Sequence, residues 1–146
     1  MTNELSGFSV LIADDDAIAQ RLIESVLNSI GIEKIALAED GAVALACHDG
    51  MPGGVDFVLL DIDMPGMDGL EFLRHLSHRE IYPAIILIGG AANGSADKAV
   101  LFGAREVALA HGMRVIGEIR KPIDPAALKP LLANIFAVYT PRGERP

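Results

Sequence analysis

Five short apolar runs, each followed by a stretch with helical spacing, limit what this chain can fold into more than any other feature. The runs cover residues 8–13, 34–38, 57–60, 84–88 and 115–119. Their near-continuous Val, Ile and Leu content is that of strands covered on both faces. After the first run, Ile18, Leu22, Val26 and Ile30 form a helical stripe, with Asp16 as N-cap and Gly31 as the stop. Residues 40–48 read as a short helix, and Leu70, Leu73 and Leu76 stripe a third, entered through Asp68-Gly69. Residues 95–111 read as a long fourth helix stopped by Gly112. Asp124-Pro125 opens a fifth, with Leu128, Leu132, Ile135 and Tyr139 facing inward and Pro130 expected to bend or shorten it. The alternation predicts an α/β fold, a parallel sheet with helices on both faces.

A length of 146 residues is one domain's worth. A hydrophobic content of 51% with 22% charged residues fits a compact globular chain. The net charge of -8 argues against a nucleic-acid surface, which needs clustered Lys and Arg, and suits a domain that binds a cation. The single cysteine, Cys47, excludes an internal disulfide and is expected to be inert packing. The N-terminus shows no signal-peptide pattern and no apolar run is long enough for a membrane span, so the expected location is cytoplasmic.

The chemistry concentrates where runs end. Asp14-Asp15-Asp16 follows the first run directly, and Asp61-Ile62-Asp63 follows the third. Neighbouring carboxylates about 5 Å apart repel by roughly 3 kcal/mol at an effective dielectric near 20, a cost tolerated where a cation sits between them. Lys121-Pro122 follows the fifth run. In a doubly wound sheet all of these lie beyond the carboxyl ends of the strands, where ligands bind. A hard cation such as Mg²⁺ takes oxygen ligands, an aspartate can hold a phosphoryl group covalently, and a lysine can neutralise phosphoryl charge.

Val10-Leu11-Ile12-Ala13-Asp14-Asp15-Asp16, the segment Asp61-Ile62-Asp63-Met64-Pro65-Gly66-Met67-Asp68-Gly69 and Lys121-Pro122 together resemble the response-regulator receiver domains of two-component signalling. The resemblance covers about residues 8–138. It implies a flavodoxin-like doubly wound fold with five parallel strands in the order 2-1-3-4-5. It also implies Asp61 as phosphoacceptor, Asp14 and Asp15 as the metal-holding pair, the backbone carbonyl of Asp63 as a further Mg²⁺ ligand, and Lys121 as the phosphoryl contact. The implied donor is a histidine kinase or phosphotransfer protein. The implied readout is an output domain, a downstream protein or a second copy of the chain. Residues 1–139 are then the receiver, and residues 140–146 a polar tail or truncated linker. A weaker similarity, in the lengthened stretch between Ile88 and Lys121, is to receivers attached to cyclic-di-GMP phosphodiesterase domains.

Two positions depart from the family. The hydroxyl residue that ends the fourth strand falls on Ile88 or, with one extra residue, on Gly89, and Glu118 stands where an aromatic is usual. An atypical switch is therefore expected. Two other readings compete: a pseudo-receiver that keeps only the fold, and a haloacid-dehalogenase-like phosphatase using Asp61-Ile62-Asp63. Elsewhere the simpler reading is favoured. Asp68 is a helix cap; His75 and His78 are solvated; His48 and His111 are helix-end residues; Ala99, Gly103 and Ala110 are packing residues. Gly89-Gly90-Ala91-Ala92-Asn93-Gly94 lacks the Gly-Lys-Ser/Thr ending of a P-loop and reads as a flexible active-site loop.

Overall fold

A computed structural model describes residues 4–90 and 95–138. Tyr139, the 140–146 tail and residues 91–94 of the glycine-rich loop lie outside the described residues. The strands are β1 (Ser9–Ala13), β2 (Lys34–Ala38), β3 (Phe57–Asp61), β4 (Ala84–Gly89) and β5 (Val115–Arg120). They alternate with α1 (Ala17–Ser29), α2 (Gly41–Gly50), α3 (Gly69–Leu76), α4 (Ser95–Ala110) and α5 (Pro125–Ala137). All strand pairs are parallel, in the order β2-β1-β3-β4-β5. This is the flavodoxin-like α/β fold.

The sheet separates two cores. One face carries Leu11, Val58, Leu60, Ile85 and Leu87 against α2, α3 and α4; the other carries Val10, Ile12, Leu59, Ile86 and Ile88 against α1 and α5. The central strands β3 and β4 are buried at every position, which is why their sequences are continuously apolar rather than alternating. The second core is anchored by an aromatic cluster in which Phe57 meets Phe8 edge-on at 4.9 Å and Phe136 at 4.5 Å.

Helix ends follow their signals. Asp16, Asp40, Asp68 and Asp124 each cap the helix that follows by accepting backbone N–H groups. Gly31 and Gly112 have φ of 104° and 77°, conformations that favour glycine and end α1 and α4.

Three expectations are corrected. The α1 stripe of Ile18, Leu22, Val26 and Ile30 is only partly the buried face: Val26 is buried and Ile30 packs half-buried on the core, but Ile18 is 72% exposed, and the other buried residues are Ala19, Ile23 and Leu27. Steps of four residues drift by about 40° each around a helix of 100° per residue, so a strict i+4 row leaves the buried face. Pro130 does not shorten α5, which continues to Ala137. The proline lies on the exposed side, where water can serve the carbonyl that loses its donor, while Leu128, Leu132 and Phe136 bury the opposite side. Ala99 and Ala110 are exposed and Gly103 only half-buried; the small residues that pack on α4 are Ala104 and Ala108, on the face of Leu101.

Candidate phosphoacceptor site

The parallel register brings the acidic segments to one edge. Ala13 pairs with Leu60 and Ala38, so Asp14 leaves the sheet beside Asp61. Asp14 is completely buried, Asp61 is 3% exposed and Asp15 is exposed. One carboxylate oxygen from each of the three can lie within 4.8 Å of the others. Lys121 reaches in from the far edge of the sheet. Its Nζ donates to Asp14 Oδ1 at 3.0 Å and to Asp61 Oδ2 at 3.2 Å.

Backbone donors fix the remaining oxygens. The N–H of Asp16 donates to Asp14 Oδ1 and the N–H of Asp63 to Asp61 Oδ1, at 2.9 and 3.0 Å. Asp14 Oδ2 is buried with no hydrogen-bond partner among the described residues. A buried, unsatisfied carboxylate oxygen inside a cluster of carboxylates is the donor set a hard cation needs, so the residues present fit Mg²⁺.

The same crowding acts on protonation. Burial, and next the charge of Asp14, push the Asp61 carboxyl up to about 7, against the opposing pull of the Asp63 N–H and Lys121. Lys121 is raised: although burial opposes its charge, the two carboxylates outweigh that.

The loop after Asp61 is closed by Ile62, Met64, Asp68 and Gly69. Gly69 lies so close that a Cβ would sit 2.7 Å from Ile62 Cα and 2.8 Å from the Asp61 carbonyl. The Gly69 N–H donates to the Ile62 carbonyl at 3.0 Å, while Ile62 and Met64 are buried as anchors. Asp68 caps α3 through the N–H of Glu71 and is a cap, as its sequence context predicts. Nothing in the sequence around Gln20 marks its role. Its Nε2 donates to the carbonyls of Asp14 and Ala38, at 2.7 and 2.9 Å, tying α1 to the ends of β1 and β2.

The register also settles which residue faces Asp61 on the fourth strand. Ile88 is its direct partner, on the same face, and Gly89 is one step beyond. Both line or adjoin a cavity of about 440 Å³ beside Asp61, walled by Ile62, Leu70, Ile88 and Val100. On β5, Glu118 accepts from Arg105 Nε of α4 at 2.9 Å, so the position holds an ion pair.

The comparisons agree with this geometry. The model of the response regulator receiver domain matches residues 10–133, and the chain belongs to that family. It is 37% identical over 135 residues to the cyclic di-GMP phosphodiesterase response regulator RpfG of Xanthomonas campestris, covering 89% of this chain but 32% of RpfG. It is 31% identical to the chemotaxis protein CheY of Pseudomonas aeruginosa, covering 87% of this chain and 94% of CheY. Among solved structures, the receiver domain of AraT from Geobacillus stearothermophilus superposes with a TM-score of 0.67 at 30% identity, over 88% of this chain and 92% of that one. A response regulator from Colwellia psychrerythraea gives 0.69 at 28% identity, over 87% and 97%. No helix among the described residues is long and apolar enough to cross a membrane.

Proposed function

We propose that this chain is the phosphoacceptor of a two-component relay, with Asp61 receiving a phosphoryl group from a histidine kinase or phosphotransfer protein. The observation that carries the reading is the convergence of Asp14, Asp15, Asp61 and Lys121 at one sheet edge, with the lysine ammonium bridging two buried carboxylates. Asp14, Asp15, Asp61 and the backbone carbonyl of Asp63 would hold Mg²⁺. When bound, the ion supplies positive charge for the phosphoryl oxygens.

In the transfer, an Asp61 carboxylate oxygen forms the new O–P bond as the N–P bond to the donor imidazole breaks, and the imidazole leaves. The Asp63 N–H holds the Asp61 carboxyl in one orientation. Lys121 stabilises charge on the phosphoryl group with the ammonium that now spans Asp14 and Asp61. On this reading the domain is a substrate of its donor, not an enzyme, and it works in the cytoplasm. The switch is atypical, because Ile88 brings no hydroxyl to Asp61 and Glu118 is committed to Arg105. Readout then passes to an output domain, a downstream protein or a second copy; the likeness to RpfG favours an output of the cyclic-di-GMP class.

Incubation with Mg²⁺ and acetyl phosphate, followed by intact mass, tests the proposal. Wild type gains one phosphoryl group and Asp61→Asn gains none. No gain together with no Mg²⁺ binding would leave a pseudo-receiver. Steady multiple-turnover hydrolysis of a phosphomonoester would point to the dehalogenase-like phosphatase.

A further inference from the structure

The acidic pair at the end of β1 is held in two unequal ways. Asp14 is fixed through its side chain, where Oδ1 accepts from the Asp16 N–H at 2.9 Å and from Lys121 Nζ at 3.0 Å. The Asp15 carboxylate is exposed, and no hydrogen bond or ion pair among the described residues holds it. Its direction is set by the backbone, above all by the peptide plane that joins it to Asp14. Gln20 holds that plane. Its Nε2 donates to the Asp14 carbonyl at 2.7 Å and to the Ala38 carbonyl at 2.9 Å. Two carbonyl acceptors fix which end of the side-chain amide faces them, since only the NH₂ group donates. The Ala38 carbonyl also accepts the Asp14 N–H at 3.0 Å. One oxygen therefore steadies Asp14 twice, directly at its N–H and through Gln20 at its carbonyl.

Gln20 is itself anchored. Its N–H donates to the Asp16 carbonyl at 3.0 Å, and Ala19 and Ile23 beside it on α1 are buried. Asp14, Asp16 and Gln20 thus close a ring of three hydrogen bonds: Asp16 N–H to Asp14 Oδ1, Gln20 N–H to the Asp16 carbonyl, and Gln20 Nε2 to the Asp14 carbonyl. Both carboxylates project from the turn that this ring encloses.

We propose that Gln20 is a positioning residue for the cation site, orienting the Asp14–Asp15 peptide so that both carboxylates face one ion. The inference rests on the phosphoacceptor reading of that site and adds a residue outside the set of oxygen donors. A ligand that no side-chain partner orients must be aimed by its backbone, and an unaimed one must be ordered anew each time the ion binds. Groups that orient metal ligands in this way are worth about 10–100-fold in affinity. A residue that only fastened α1 to the sheet would contribute to stability and leave the affinity of the folded chain unchanged.

Gln20→Met tests this, because it keeps the length and helix preference of the side chain and removes the donor. Mg²⁺ titrated calorimetrically into the folded full chain should bind about tenfold more weakly to the variant than to wild type. The Mg²⁺ concentration that half-saturates phosphorylation by acetyl phosphate should rise by the same factor, while the rate at saturating Mg²⁺ stays at the wild-type value. Gln20→Glu is the second variant: it keeps the shape but sets acceptor oxygens against both carbonyls. Its added charge alone would attract the cation, so weaker Mg²⁺ binding here as well isolates orientation from charge. Equal Mg²⁺ affinity in wild type and Gln20→Met, or equal or tighter binding in Gln20→Glu, would overturn the inference and leave the phosphoacceptor reading standing. Absence of Mg²⁺ binding by wild type would overturn both. Should Gln20→Met not fold, Gln20→Glu decides alone; a chain that folds with neither substitution assigns Gln20 to the fold and ends the proposal.

Discussion

Asp56 and Asp61 stand at opposite ends of β3, and both are nearly buried, with 9% and 3% of their surface exposed. Asp56 is met by neutral donors, the N–H and hydroxyl of Ser9, inside a turn also fastened by His48. Asp61 is met by another buried carboxylate, and Lys121 must serve both. One edge of the sheet is therefore internally satisfied, whereas the other keeps charge in want of a partner. The difference separates what holds the strands together from what they present. Residue type does not decide it; the donors built around each carboxylate do.

The contrast can be broken at either edge. The largest effect is expected at the satisfied one: Phe57→Ala removes the ring that touches both Phe8 and Phe136. It should cost about 3–5 kcal/mol in urea unfolding, with phosphoryl uptake retained by the folded fraction. A loss below about 1 kcal/mol would mean that the aromatic cluster is not the anchor described.

At the other edge, removing charge should stabilise. Without Mg²⁺, Asp61→Asn is expected to gain about 1–3 kcal/mol at pH 8, on the scale of repulsion between carboxylates this close. The sign follows from the raised Asp61 carboxyl, near 7 when folded. The wild type's share of stability from this group is full below the unfolded value near 3.9 and is lost as pH rises through about 7. Melting profiles of the two proteins should accordingly diverge between about pH 4 and 8, and Mg²⁺ should close the gap by stabilising wild type alone. Equal slopes would show that the acidic edge carries no such strain.

The smallest effect on stability, about 1 kcal/mol, is expected from Ile88→Thr, which trades buried methyl packing for a hydroxyl beside Asp61. Its value lies in the readout. Phosphorylation-linked chemical-shift changes along α4 should grow, because the phosphoryl group then contacts β4 differently in its two states. Unchanged shifts would assign signal transmission to other residues.

Much of this contrast was legible in the sequence and part of it was not. Strand order and the meeting of Asp14, Asp61 and Lys121 follow from motifs whose spacing is local and whose fold is shared with a family. The capping aspartates were readable because a cap needs only its own following turn. The buried face of α1 is only partly legible, since an i+4 row of apolar residues and a buried stripe differ by a rotation that only packing fixes. His48 looked like a helix-end residue, and nothing near it in sequence says that its ring will meet Val55. Ile88 and Gly89 could be told apart only by the pairing of β3 with β4. The Arg105–Glu118 pair likewise joins a helix and a strand whose mutual register the sequence does not state.

Lys121 joins Asp14 across 107 residues of chain and Asp61 across 60. These are among the slowest contacts for a polypeptide to close, because the intervening loops must be ordered before the ends can meet. In chain order both aspartates come well before the fifth strand and Lys121. A molecule in which that strand has not docked holds the Asp61 carboxylate without the Lys121 ammonium. On the proposed function, competence to receive a phosphoryl group arrives with the last strand, and the signal is confined to molecules that have finished folding.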